Sequence, residues 1–272
     1  INLKNFVANP FTENARFDFE SFTTVISAAM RMSDDLVELE TEKLSSIVGA
    51  ADTEDEQELW TKLLDACRQG RRTGLGTHGL ADALACLGLA YDATEALPVI
   101  NSIYKTLRDV AYQESMHLAT ERGAFPIFNW DKEKNNGFIK RLPENLQQSM
   151  SEYGRRNISI LTNAPTGSVS IMSQTSSGLE PVFRNSYIRR RKMSHDEATE
   201  QPDFVDDMGD SWKEFEVFHH NAQQWRDANP GEDLPSFFVE SDQIDWLRRV
   251  EIQETIQNNI DHAISSTINL PK

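Results

Sequence analysis

Cysteine is nearly absent from this chain of 272 residues: there are two, Cys67 and Cys86. Two thiols exclude a disulfide-stapled scaffold and a cysteine-based zinc site, and they suit a reducing cytoplasm. Positive charge is scarce as well. Lys plus Arg number 27 against 43 Asp plus Glu, a formal net charge of −16. A surface that acidic repels nucleic-acid phosphate and anionic lipid, which argues against both as partners. No apolar run approaches the roughly 20 residues that span a bilayer, and no basic-then-apolar signal segment opens the chain. No fixed-period repeat is present, which excludes solenoids. What is there is globular: 39% hydrophobic and 26% charged residues. The chain opens on Ile1-Asn2-Leu3 without Met and closes on Thr267-Ile268-Asn269-Leu270-Pro271-Lys272. Neither end has the polar composition of a frayed terminus, so the expectation is either a processed or trimmed chain or an internal piece of a larger protein.

Helical periodicity dominates. Phe19 to Leu44 carries apolar residues at helical spacing (Phe22, Val25, Ile26, Ala29, Met32, Leu36, Leu39) behind a capping Asp18. Helices are also expected over Glu54–Gln69, Leu80–Leu87, Leu97–Arg122 (ended by Gly123), Lys132–Tyr153 in pieces, and Ile244–Ile264. Strand character is confined to Ile158–Thr162, Val169–Met172 and Thr267–Leu270, with weak alternation over Arg184–Lys192. Asp196–Asp210 is acidic, carries Pro202, and is expected to be a surface loop. The sum is one domain, residues 1–272, with helices around a few buried strands.

Four features carry candidate chemistry. Gly74-Leu75-Gly76-Thr77-His78-Gly79 matches the dinucleotide pattern G-x-G-x-x-G, but that fingerprint needs a buried strand before it. Here a polar helix end, Cys67 to Arg72, precedes it, so a glycine-rich structural turn is the better reading. Glu114-x-x-His117 and Glu216-x-x-His219 both show the carboxylate–imidazole spacing of di-iron bundles. The second pair lies in an aromatic, strand-like stretch, and surface Glu with half-buried His explains both pairs more simply. The basic islands Arg71-Arg72, Arg155-Arg156 and Arg189-Arg190-Arg191-Lys192 are expected to balance nearby carboxylates, with a docking patch as the alternative. Cys67 and Cys86 sit in helical, apolar-flanked contexts and are expected to be core residues rather than redox thiols.

The fourth feature is the most informative. Asn163-Ala164-Pro165-Thr166-Gly167-Ser168-Val169-Ser170 follows an expected strand with small residues and a glycine. Consecutive backbone N–H groups there can face one space and hold phosphate oxygens, with the Thr166 and Ser168 hydroxyls beside them. An ordinary strand-to-loop turn fits the spacing equally well. A second glycine turn, Thr175-Ser176-Ser177-Gly178-Leu179-Glu180-Pro181, follows so closely that the two loops are expected to share one mouth.

Read together, Asn163–Ser170 and Gln174–Phe183 resemble the class II, adenosylcobalamin-dependent ribonucleotide reductases. Further stretches resemble that family in the same order: Asn9-Pro10-Phe11, Gly70–Gly76 leading into Gly79–Leu84, Glu121–Pro126, Tyr153–Asn157 and Ile264–Pro271. The resemblance implies an α/β fold, the second part of a ten-stranded α/β barrel, helix-rich with a few buried short strands. It implies a radical reductase that converts ribonucleotides to deoxyribonucleotides for DNA synthesis, with adenosylcobalamin as cofactor and a ribonucleoside di- or triphosphate as substrate.

By the same resemblance, Pro165, Thr166, Gly167, Ser168 and Val169 hold the substrate phosphates through backbone amides. Ser177, Gly178 and Glu180 form a second active-site loop. Gly167 is expected where a Cβ would crowd the anion or exclude the needed backbone angles. No catalytic residue and no metal ligand is expected in this chain. The family's radical cysteine loop, its N-terminal half-barrel and its C-terminal redox cysteines have no counterpart here, and neither Cys67 nor Cys86 matches a catalytic position. The missing N-terminal part of the same reductase is therefore an expected partner, the complete enzyme a possible homodimer, and the isolated chain inactive. The alternatives are a di-iron carboxylate oxidoreductase using Glu114, His117, Glu216 and His219, and a non-catalytic acidic helical module docking through Arg189–Lys192.

Overall fold

The computed structural model describes residues 1–194 and 201–268. After a 3₁₀ turn (Leu3–Phe6), strands β1 (Val7–Ala8) and β2 (Arg16–Phe17) form a small antiparallel ribbon. Helices α1 (Phe19–Ala50) and α2 (Glu54–Gly70) follow as an antiparallel hairpin. Asp18 caps α1 by accepting from Ser21 N–H, and Thr53 caps α2 by accepting from Glu56 N–H. The short α3 (Leu80–Cys86) is buried throughout. The long α4 (Ala96–Arg122) runs through the middle of the core and ends on Gly123, whose φ of +87° favours glycine. Then come α5 (Trp130–Glu133), α6 (Glu144–Tyr153), α7 (Gly167–Ser173), strands β3 (Ser186–Lys192), β4 (Phe204–Val205) and β5 (Ser211–Phe218), and helices α8 (His220–Ala228) and α9 (Trp246–Gln257).

The buried strands register as extended segments joined by isolated parallel bridges. Asn2 pairs with His78, Leu75 with Leu161, and Asn163 with Ile264, all in parallel. Backbone bonds extend the pairing: Thr73 N–H to Ser159 O, Leu75 N–H to Ile160 O, Thr162 N–H to Leu75 O, and Ser265 N–H to Asn163 O. Residues 1–3, 73–78, 158–163 and 263–265 thus lie side by side with helices between them along the chain. That is the parallel, helix-covered arrangement of α/β barrels. The core over this array is built from Leu75, Leu80, Leu84, Ile160 and Leu161 with Ile100, Tyr104 and Leu107 of α4.

The glycine-rich run Gly74–Gly79 is part of this pairing. A Cβ on Gly76 would overlap the carbonyl oxygen of Thr162, and one on Gly74 would press on the Thr162 side chain. Gly79 sits at φ +75°. Gly74 and Gly76 therefore lie in an extended, paired segment rather than the turn expected from the sequence, where they let two backbones approach closely.

Three expectations need correction. Val169–Met172 is helical, inside α7, because the chain turns immediately after the parallel segment and its next carbonyl acceptor is local: Ser170 N–H donates to Thr166 O. The buried face of α1 is Phe22, Ile26, Met30, Asp34, Val37 and Thr41, while Val25, Met32, Leu36 and Leu39 face outward. The two apolar stripes of α1 are one turn-fraction apart, and only packing against α2 and α4 selects between them. The last helix is shorter than Ile244–Ile264, starting after the Asp245 cap and ending at Gln257. Of the expected strand Thr267–Leu270, Thr267 and Ile268 join no ladder, and the rest lies outside the described residues. The same holds for residues 196–200 of the acidic loop; its remainder includes β4, paired to β5.

Candidate substrate-phosphate site

The parallel segment 158–163 is braced from two sides before it delivers the first loop. Asp261 accepts from the N–H groups of Ile160 and Leu161 at 2.9 and 2.7 Å, and from the Tyr112 hydroxyl at 2.9 Å. The buried Asn163 side chain reads the neighbouring segment in both directions. Its Oδ1 accepts from Thr77 N–H and the Thr77 hydroxyl, and its Nδ2 donates to Thr77 O. The chain leaving Asn163 is therefore fixed in position and direction.

Residues 164–169 then run exposed or half-exposed into α7. Pro165 carries no N–H, so the donors of this run are the backbone amides of Thr166, Gly167, Ser168 and Val169. Among the described residues none of these four amides meets an acceptor, as befits the first turn of a helix. Gly167 has an ordinary φ, and a Cβ there would meet nothing within 4 Å. Backbone angle is thus not the reason for this glycine; the open space in front of it remains.

The two glycine loops do meet. Gly178 N–H donates to the Thr166 hydroxyl at 2.6 Å, and the Thr166 and Ser177 hydroxyls lie 3.3 Å apart. Asn163, Ala164, Pro165, Ser177, Gly178 and Glu180 line one cleft of about 120 Å³. A larger cavity of about 470 Å³ opens on the other side of the second loop, at Ser176, Ser177 and Glu180, and reaches His219 and Ser241. Gly178 lies at φ +52°, where a side chain would be strained. Glu180 does not project as a free acid. Its carboxylate accepts from Arg249 at 3.0 Å and from Thr267 N–H at 3.0 Å, so its role is to hold the loop.

The other sequence features resolve without joining the site. Glu114 is paired with Arg31 at 2.7 Å and His117 is exposed; Glu216 accepts from Ser186, and His219 is bonded to Asp82. Glu114, Glu216 and His219 are engaged with other residues, His117 Nδ1 lies 3.9 Å from Glu114 itself, and among the described residues no group of three or more side chains that could hold a metal ion is found. Arg71 and Arg156 converge with Arg122 on the fully buried Asp34. Arg190 stacks on Phe204 and pairs with Glu214, and Lys192 pairs with Asp210. Arg71, Arg155, Arg156, Arg190 and Lys192 thus balance local carboxylates. Cys86 is buried and donates to Asn221, with burial pushing its thiol up to about 12. Cys67 is only partly covered, beside Thr41 and Glu40, with burial again raising its thiol.

Comparison with known proteins agrees with this geometry. The family described as "Ribonucleotide reductase, barrel domain" matches residues 1–272. The chain belongs to that family. It is 27% identical over 276 residues to the vitamin B12-dependent ribonucleoside-diphosphate reductase of Mycobacterium tuberculosis, covering 100% of this chain and 34% of that protein. It is 26% identical to the reductase of the same description from Thermoplasma acidophilum, covering 99% of this chain and 31% of the relative. Among solved structures, the class Id ribonucleotide reductase alpha subunit of Actinobacillus ureae superposes with a TM-score of 0.50 at 16% identity, over 84% of this chain and 38% of that one. The reductase-barrel fold expected from the sequence is thereby shown. The chain spans about a third of the length of these curated relatives.

Asp82 escaped the sequence reading, and His219 was singled out there only as a candidate metal ligand. Asp82, fully buried on α3, accepts from Ser176 N–H at 2.6 Å, and His219 Nε2 lies 2.7 Å from its other oxygen. The available signal was a lone carboxylate inside the otherwise uncharged stretch Leu80–Leu87, since an unpaired charge is not left in an apolar helix.

Proposed function

We propose that this chain is the part of a vitamin B12-dependent ribonucleotide reductase that grips the phosphates of a ribonucleoside diphosphate. The observation that carries this is the row of unaccepted amides from Thr166 to Val169, braced by Asn163 and Asp261, in a chain whose curated relatives are ribonucleoside-diphosphate reductases. A helix N-terminus with free N–H groups favours a phosphate by charge and by hydrogen bonding together. The amides of Thr166 to Val169 orient the substrate, Ser168 adds a hydroxyl, and Ser177 and Gly178 hold the head of this loop through the Thr166 hydroxyl.

Adenosylcobalamin, when bound, supplies the radical that starts ribose reduction. The part proposed for the chain's own residues is binding and orientation. Neither cysteine is placed for thiyl chemistry: Cys86 is sealed in the core, and Cys67 lies on the α1–α2 face. The reduction itself belongs to the remainder of the reductase, in the cytoplasm, in support of DNA synthesis. Isothermal titration of the complete reductase with a ribonucleoside diphosphate, wild type against Gly167→Val, tests the phosphate role directly.

A further inference from the structure

Asp82 is the single charged residue of α3 and is wholly buried, so its two carboxylate oxygens must be solvated by protein. Each has one principal donor. Ser176 N–H serves one oxygen at 2.6 Å, and His219 Nε2 serves the other at 2.7 Å. A carboxylate only accepts, so Nε2 carries the proton in this contact. His219 follows directly after β5, and its own N–H donates to the carbonyl of Asn185, just before β3. It therefore stands at the root of the β3–β5 hairpin. On the far side of the carboxylate, the Ser176–Gly178 stretch is tied onward through Gly178 N–H to the Thr166 hydroxyl at the head of α7.

We infer that His219, acting through Asp82, is a positioning residue for the Ser176–Gly178 loop. With His219 removed, a buried carboxylate oxygen loses its donor. The carboxylate then turns to find another partner, which releases Ser176 N–H. The loop loses a backbone anchor, and the Gly178–Thr166 contact loses its fixed geometry. The consequence for phosphate affinity rests on the function proposed above; the consequence for the loop does not.

The test uses the complete reductase containing this segment, with hydrogen exchange followed on peptides covering residues 174–180. His219→Ala is expected to speed exchange at Ser176 and Gly178 about tenfold, the effect of one lost bond to a charged acceptor. His219→Gln, whose side-chain amide can donate to Asp82, is expected to restore protection to within about threefold. Asp82→Asn, which keeps one acceptor oxygen, is expected to fall between them, and it stands in should His219→Ala not fold. Leu146→Ala, a core truncation on α6, controls for general destabilisation and should leave these peptides unchanged. KM for the ribonucleoside diphosphate should rise about tenfold in His219→Ala, with a smaller change in kcat. Unaltered loop exchange in His219→Ala and Asp82→Asn, or equal acceleration in Leu146→Ala, overturns the positioning role. Faster loop exchange with an unchanged KM upholds it and counts against the phosphate role of the neighbouring loop.

Discussion

Gly167→Val separates binding from folding unusually well in this protein. The glycine is the first residue of α7, has no positive φ, and has no heavy atom within 4 Å of where a Cβ would stand. A valine there breaks no contact of the folded chain, and valine is no worse a helix former than glycine. Its methyl groups instead enter the open space before the amides of Gly167, Ser168 and Val169. If a phosphate occupies that space, one or two bonds to a charged acceptor are displaced, each worth about 1.5–3 kcal/mol. Losing one of them raises the dissociation constant roughly tenfold to a hundredfold. The assay is calorimetric binding and KM of the complete reductase, with thermal unfolding measured on the same preparations. Gly167→Ala should fall between wild type and valine. Equal affinity in wild type and Gly167→Val, with both folded, would show that the loop is an ordinary turn.

Gly76→Ala should do the reverse, since its Cβ overlaps the Thr162 carbonyl: the parallel pairing at Leu75 must open, lowering stability by about 3 kcal/mol or more in chemical denaturation. Asp34→Ala leaves Arg71 buried without its main partner and should cost about 3–5 kcal/mol, whereas a loss below 1 kcal/mol would mean the network is solvated. Burial pushes Asp34 up, but Arg71, Asn157 and Arg156 outweigh it and hold the carboxyl below its ordinary 3.8. That stability is present in full above pH 3.8 and is lost as pH falls through the lower folded value, so wild type should lose more stability than Asp34→Asn over that acid window. The isolated chain should form no deoxyribonucleotide with adenosylcobalamin and dithiol; detectable product would overturn its assignment as a binding segment. Cys86 should resist alkylation at pH 8 until the protein unfolds, while Cys67 reacts slowly in the native state.

Much was legible in the residues themselves. The cap at Asp18, the stop at Gly123 and the long apolar periods gave the helices, because these are local properties of neighbouring side chains and backbone. The polar approach to Gly74–Gly79 ruled out a dinucleotide loop before any contact was known, and the pairing with Thr162 supplies the reason for its glycines. Small residues after a short β-branched run marked both loops, and their closeness in sequence was enough to expect one mouth. The remainder depends on which distant segments meet. Val169–Met172 is β-branched enough to read as strand, yet α7 forms because Asn163 and Thr77, 86 residues apart, end the parallel pairing just before it. Two stripes of α1 carry large apolar residues, and packing against α2 and α4 decides which is covered. Asp82 and His219, 137 residues apart, carry no shared local signal. Local preference reaches a few turns of chain, whereas the solvation of a buried charge and the seating of a loop are settled by whatever the tertiary fold brings alongside.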